Sequence, residues 1–200
     1  MARPDRGAPE KELILPVFTQ WEKVGSITGI LSELEQGIFS DAALLIDQML
    51  RDDRIRATWD VLIQSVLGCP IHFEAAQDTK KAQRIAEDAE EDWWKMAPRK
   101  ELIELLKWGF FAGVGLARKN WVRQDGGWLP VLQTWHAGAL RFDLMSDTYM
   151  LRTQDKGEIP IVRGDPNWVL FTPFVFTSAE RMQALSIIVA PLCTLEQLTP

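Results

Sequence analysis

An α+β fold, with N-terminal helices followed by a small antiparallel β-meander, is what this 200-residue chain predicts. Three observations carry that expectation. Helical apolar spacing runs through the first half, from Ile27 to about Gly115. Short β-like runs bearing Trp121, Trp128, Trp135 and Trp168 then take over. Tight-turn sequences separate those runs: Asp125-Gly126-Gly127, Asp155-Lys156-Gly157 and Gly164-Asp165-Pro166-Asn167. Helices first and strands afterwards is the order of an α+β domain, and the length suffices for a real hydrophobic core.

The elements follow in order. Residues 1–11, charged and broken by Pro4 and Pro9, read as an arm, and Leu13 to Val17 as a short extended segment lying on a neighbour. Ile27, Ile30, Leu31 and Leu34 make a helix that Gly37 stops. Asp41 is a candidate cap for a helix carrying Leu44, Leu45, Gln48 and Met49, and Asp52-Asp53 offers the next break or cap. Ile55, Trp59, Leu62, Ile63 and Val66 then share one helical face, which ends at Gly68. Ile71 to Ala75 alternates and reads as a strand.

Asp78 or Thr79 starts a helix through Ala82, Ile85, Ala86, Ala89 and Trp93 that stops before Pro98. Its acidic run, Glu87, Asp88, Glu90, Glu91 and Asp92, reads as a solvated face. A third strong helix spans Arg99 to Gly115, with Leu102, Leu105, Leu106, Phe110 and Val114 inside. The strands run to about Phe174, and Thr177-Ser178-Ala179-Glu180 signals a last helix that stops before Pro191. The domain reading is an arm with a short helix over 1–36, one α+β domain over 37–174 and an apolar tail over 175–200.

Composition narrows the function. A net charge of −6 argues against holding nucleic acid by broad phosphate neutralisation, though not against a wall past which DNA slides. Two cysteines far apart, Cys69 and Cys193, fit a reducing cytoplasm better than a disulfide-stapled secreted fold. The N-terminus lacks the apolar run of a signal peptide, and no apolar segment approaches the roughly 20 residues that span a bilayer. Nine tryptophans against one tyrosine favour packing area over an adaptable recognition surface.

The search for chemistry yields no catalytic, cofactor-binding or metal residue. The glycine cluster Gly109 to Gly115 lacks the Lys-Ser/Thr ending of a phosphate-binding loop and closes a helix instead of opening one. Cys69 and His72 have metal-like spacing but no partners to complete a set of about four ligands. No Gly-x-Ser-x-Gly elbow occurs. His136 is the histidine to watch: a side chain at a strand end that bonds a turn, or, in an enzyme reading, a base beside a carboxylate. Arg51, Arg54 and Arg56 form the densest basic cluster, and with Asp52 beside them a salt-linked subunit contact is expected there.

Two segments, Asp47 to Ala57 and Val66 to Glu74, are similar to the start of the bacteriophage portal proteins of the Mu-like group. Further matches follow in order: Leu102 to Ala117, the hairpin of Trp121 and Trp128, Trp135-His136, Leu140 to Asp143, and Asp165 to Phe174. The resemblance covers roughly residues 38 to 174 and implies the peripheral wing part of a portal, or head–tail connector. It implies a non-enzymatic subunit without cofactors, in the virion or host cytoplasm. Its homo-oligomeric ring would nucleate head assembly, dock the terminase, and hold head-completion, capsid and tail proteins. DNA would pass through it without sequence-specific binding. The stem, clip and crown of the family have no counterpart after Phe174, so a truncated portal that forms a ring only when the stem is supplied is expected. The alternative is a stand-alone wing-like module that engages or interferes with portal or capsid assembly.

Overall fold

The computed structural model describes residues 24–124 and 127–173. The arm, the Leu13–Val17 segment, the capping-box helix and the apolar tail lie outside them, as do Asp125 and Gly126. Within them, helices α1 (Val24–Glu35), α2 (Ser40–Met49), α3 (Asp53–Leu67), α4 (Lys80–Met96) and α5 (Arg99–Phe111) precede every strand.

Local chemistry accounts for the helix boundaries. The Asp52 carboxylate accepts from the N–H groups of Arg54 (2.9 Å) and Ile55 (3.2 Å), so Asp52 caps α3. Thr79 caps α4 through its hydroxyl, which accepts from Ala82 N–H at 3.2 Å. Asp41 is no cap: α2 starts one residue earlier, behind the buried Phe39, and Asp41 lies in the first turn. Its negative charge still favours that end of the helix.

Three other sequence expectations are corrected. On α3 the buried residues are Trp59, Ile63 and Leu67, while Leu62 and Val66 are exposed. Trp59 rotates the helix by packing its indole on Phe110 and Phe111, at 5.7 and 5.3 Å between ring centroids. Ile71 to Ala75 forms no strand. Its alternation is met by one docked ring, Phe73 on Trp93 at 5.5 Å, and Ile71 remains exposed. Helix α5 ends at Phe111, because Gly113 adopts a left-handed φ of +75°. Gly115 already belongs to a strand, pressed so close to α5 that a Cβ there would lie 2.5 Å from the Leu105 carbonyl oxygen.

The β part forms two antiparallel three-stranded sheets. Strands β1 (Gly115–Gln124) and β2 (Gly127–Trp135) make a long hairpin, with Leu116 opposite Trp135. Strands β3 (Leu140–Asp143), β4 (Thr148–Thr153) and β5 (Gly157–Ile161) form a sequential meander. Strand β6 (Trp168–Phe171) returns to the first sheet and pairs with the start of β1, Arg118 opposite Trp168. A 3-10 turn at Ala137–Ala139 links the sheets.

One core joins the helices to both sheets. Leu34, Ile46, Met49, Trp108, Val114, Leu116, Leu140 and Leu151 are its largest fully buried members. The α1–α2 link is stitched to β3: Phe142 N–H donates to the Gly37 carbonyl at 2.7 Å, and Ile38 bridges Arg141. Gly37 has φ +82°, and a Cβ there would sit 2.2 Å from the Phe142 carbonyl oxygen, so glycine is required. Trp135 is buried edge-on to Trp168 at 6.0 Å, whereas Trp128 lies exposed toward the hairpin tip.

Candidate functional site

The densest polar arrangement lies where α2, α5 and the turn after β2 meet. Asp47, near the end of α2, is the hub. Its Oδ1 accepts from Lys107 Nζ at 3.2 Å, and its Oδ2 lies 2.9 Å from His136 Nε2. Lys107 also reaches Glu104 at 2.6 Å, one turn earlier on α5. Its ammonium sits 4.0 Å from the centroid of the buried Trp108 ring. That ring in turn meets the His136 imidazole edge-on at 4.5 Å.

The hydrogen bonds fix the state of His136. Its Nδ1 accepts from Gly138 N–H at 3.1 Å, which caps the 3-10 turn. The proton is therefore on Nε2, which donates to Asp47. Burial alone would raise the Asp47 carboxyl, but the His136 hydrogen bond and the Lys107 charge outweigh it and hold Asp47 below the usual carboxylate range. A second tie runs in parallel, with Thr134 donating through its N–H to the Glu101 carboxylate (2.6 Å) and through its hydroxyl to the Glu101 carbonyl (2.7 Å). Arg152 on β4 donates to the Gly138 carbonyl at 3.1 Å, so the second sheet joins the same junction.

Chemically this is a clamp. His136 has the carboxylate that a general-base reading asks for, but both of its ring nitrogens are engaged within the protein. A base needs a free nitrogen within reach of a substrate proton. The expected bond from His136 to a turn is present. Sequence reasoning passed over Asp47 and Lys107 as members of this site. The available signal was one charge inside each apolar run, Asp47 after Ala42–Ile46 and Lys107 between Leu106 and Trp108.

The other residues singled out lie apart from the clamp. Cys69 is exposed and donates its thiol to the Ser65 carbonyl at 3.4 Å, while His72 Nδ1 lies 3.4 Å from Glu90 Oε1 on an exposed edge. Among the described residues no group of three or more His, Cys, Asp or Glu could hold a metal ion, and no helix is long and apolar enough to cross a membrane. A cleft of about 390 Å³ near β4, β5 and β6 is lined by Asp147, Tyr149, Ile161, Arg163 and Leu170, among others.

Arg51, Arg54 and Arg56 stand exposed at the corner between α2 and α3. Asp52 is committed to the α3 cap, and among the described residues it forms no ion pair with these arginines. The corner therefore presents three guanidinium groups outward.

A family model described as the portal protein of Mu bacteriophage matches residues 43–191. The match begins inside α2, takes in the clamp and both sheets, and continues past Phe174. No curated protein matches the chain.

Proposed function

Since this chain belongs to the portal protein family of Mu bacteriophage, we propose that it serves as the wing part of a head–tail connector ring. It is a portal-like phage structural protein, of a family that is structural rather than enzymatic. In this role, copies stand around one capsid vertex with DNA passing between them, and terminase and tail components dock in turn.

The observation that carries this reading is the extent of the family match, which spans α2 to β6 and so nearly the whole described unit. The site chemistry is consistent with it. The polar cluster ties secondary-structure elements together and leaves no imidazole nitrogen for a substrate. A net charge of −6 suits a body near which DNA moves without being gripped. The Arg51, Asp52, Arg54 and Arg56 corner belongs to the contact between neighbouring copies, with the arginines facing carboxylates of the next copy.

Co-expression of a tagged chain with a full-length Mu-type portal protein, followed by imaging of the purified particles, tests the proposal. Rings that carry the tag are expected. Rings from which the chain is excluded would sink the reading. Loss of rings in proportion to the added chain would instead favour an interfering wing-like module.

A further inference from the structure

Helix α3 runs antiparallel to α5. Trp59 packs on Phe110 and Phe111 toward one end, and Arg99 donates to the Gln64 side chain at the other. At about 100° per residue, that seating turns two apolar rows to the same side and leaves a seam between them. One row is Leu62 and Val66 of α3, 39% and 49% exposed, with Val61 on its outer margin. The other is Leu102, Leu106 and Phe110 of α5, half-buried at four-residue spacing. Helix α4 packs instead on β2, at the edge of its sheet opposite β6. The polar groups along the seam are turned back on their own helix. Thr58 donates to the Arg54 carbonyl and Ser65 to the Val61 carbonyl, both at 2.9 Å, and Cys69 donates to the Ser65 carbonyl. Apolar cover would therefore orphan no donor. From Val61 to Pro70 there is no charged residue.

The chain leaves β6 beside this seam. Strand β6 is an edge strand, and Phe171 and Pro173 lie against Gly109 of α5, next in sequence to the Phe110 that Trp59 meets. Residues 174–200 follow, and the family match runs on through them to residue 191. Their sequence carries the helix signalled at Thr177 to Glu180 and stopped by Pro191, with Met182, Leu185 and Val189 on one face. From Met182 to Leu195 it is as free of charge as the seam.

We infer that the apolar tail of the same chain docks in the α3–α5 seam, running parallel to α3. The seam opens where Phe110 meets Trp59, so the tail enters near Thr58 and proceeds toward Cys69. Residues 174–177 alone reach about 13 Å when extended, at roughly 3.3 Å each, which suffices to pass from Gly109 over Phe110. Parallel alignment sets Met182 against Thr58 and Phe110, Leu185 against Leu62, and Val189 against Val66. Past Pro191 it brings Cys193 to Cys69, just beyond the end of α3. Apolar side chains on both surfaces then leave water together, with no charge trapped between them.

The two native cysteines test this in the full chain at low concentration. A short bismaleimide is expected to join Cys69 to Cys193 within one chain, read by mass spectrometry of the digested monomer band. Leu185→Asp and Val66→Asp should each cut that yield about tenfold or more, since a charge buried without a partner opposes docking. Val61→Asp, on the outer margin of α3, should leave the yield near wild type. Leu185→Asp changes only the tail, so its effect does not depend on whether Val66→Asp folds. No link between Cys69 and Cys193, or a yield unmoved by Leu185→Asp, overturns the inference. A link found only between copies also overturns it, in favour of a neighbour's tail. Entry of the tagged chain into portal rings is read separately, so the docking can fail while the assembly reading stands.

Discussion

The clamp region and the α3–α4 flank are built from the same kind of sequence and end in opposite states. Around the clamp, Ile46, Trp108, Leu140 and Leu151 are at most 1% exposed, and Lys107, Asp47 and His136 find partners in one another. On the flank, no residue of α4 is fully buried, and α3 leaves Val61, Leu62 and Val66 exposed. Both regions show strong helical periodicity, so periodicity alone does not decide burial. Among the described residues the clamp region is completed by the chain itself, whereas α3 leaves apolar area exposed.

Truncating one large side chain in each region gives the widest contrast. Trp108→Ala should cost about 3–5 kcal/mol, since it empties the centre of the core and removes the ring on which Lys107 and His136 rest. Trp94→Ala, at a 48% exposed position on α4, should stay within about 0.5 kcal/mol. Urea unfolding followed by circular dichroism measures both, and comparable costs would erase the distinction.

Next in size is the backbone stitch beside the clamp. Gly37→Ala should destabilise by roughly 2–3 kcal/mol, because the residue holds a left-handed φ and faces the Phe142 carbonyl. A near-neutral result in the same unfolding experiment would show that the link between α1 and α2 can move off β3.

The clamp itself should appear in the pH dependence. Asp47→Asn is expected to cost about 1–2 kcal/mol near neutrality, from weakened charge-assisted bonds at a partly exposed site. The Asp47 carboxyl is held low in the folded protein, so its stabilisation is fully present above the unfolded carboxylate range, about 3.9. It is lost as pH falls from there through the lowered folded value. The gap between wild type and Asp47→Asn should therefore narrow below about pH 4. Asp143, held low by the Ser146 hydroxyl and the Met145 N–H, titrates in the same direction, so the difference between variants is the quantity to follow. A gap that is constant down to about pH 2 would show that the Asp47 charge adds nothing to the clamp.

What was legible in the sequence follows from which forces are local. The Asp52 and Thr79 caps, the stop at Gly68 and the turn-separated strands depend on neighbours within a few residues, and they could be read directly. The Ile71–Ala75 alternation misled because a strand needs an edge to pair with, and here one ring docking on Trp93 met the pattern. The return of β6 to β1 is a long-range pairing with no local mark. The clamp was missed for the same reason: Asp47 and His136 lie 89 residues apart, and only the fold brings them to 2.9 Å. The family resemblance was legible as an ordered series of short matches, and the family match confirms it over residues 43–191.

The smallest expected effect sharpens the comparison most. Val61→Ser replaces an apolar side chain that is 70% exposed with one that can bond back to the helix, as Ser65 already does. In dilute protein its stability should stay within about 0.5 kcal/mol of wild type, because little burial is lost. A loss well beyond about 0.5 kcal/mol in dilute protein would mean that Val61 is covered from within the chain. The flank would then be completed in the same way as the clamp.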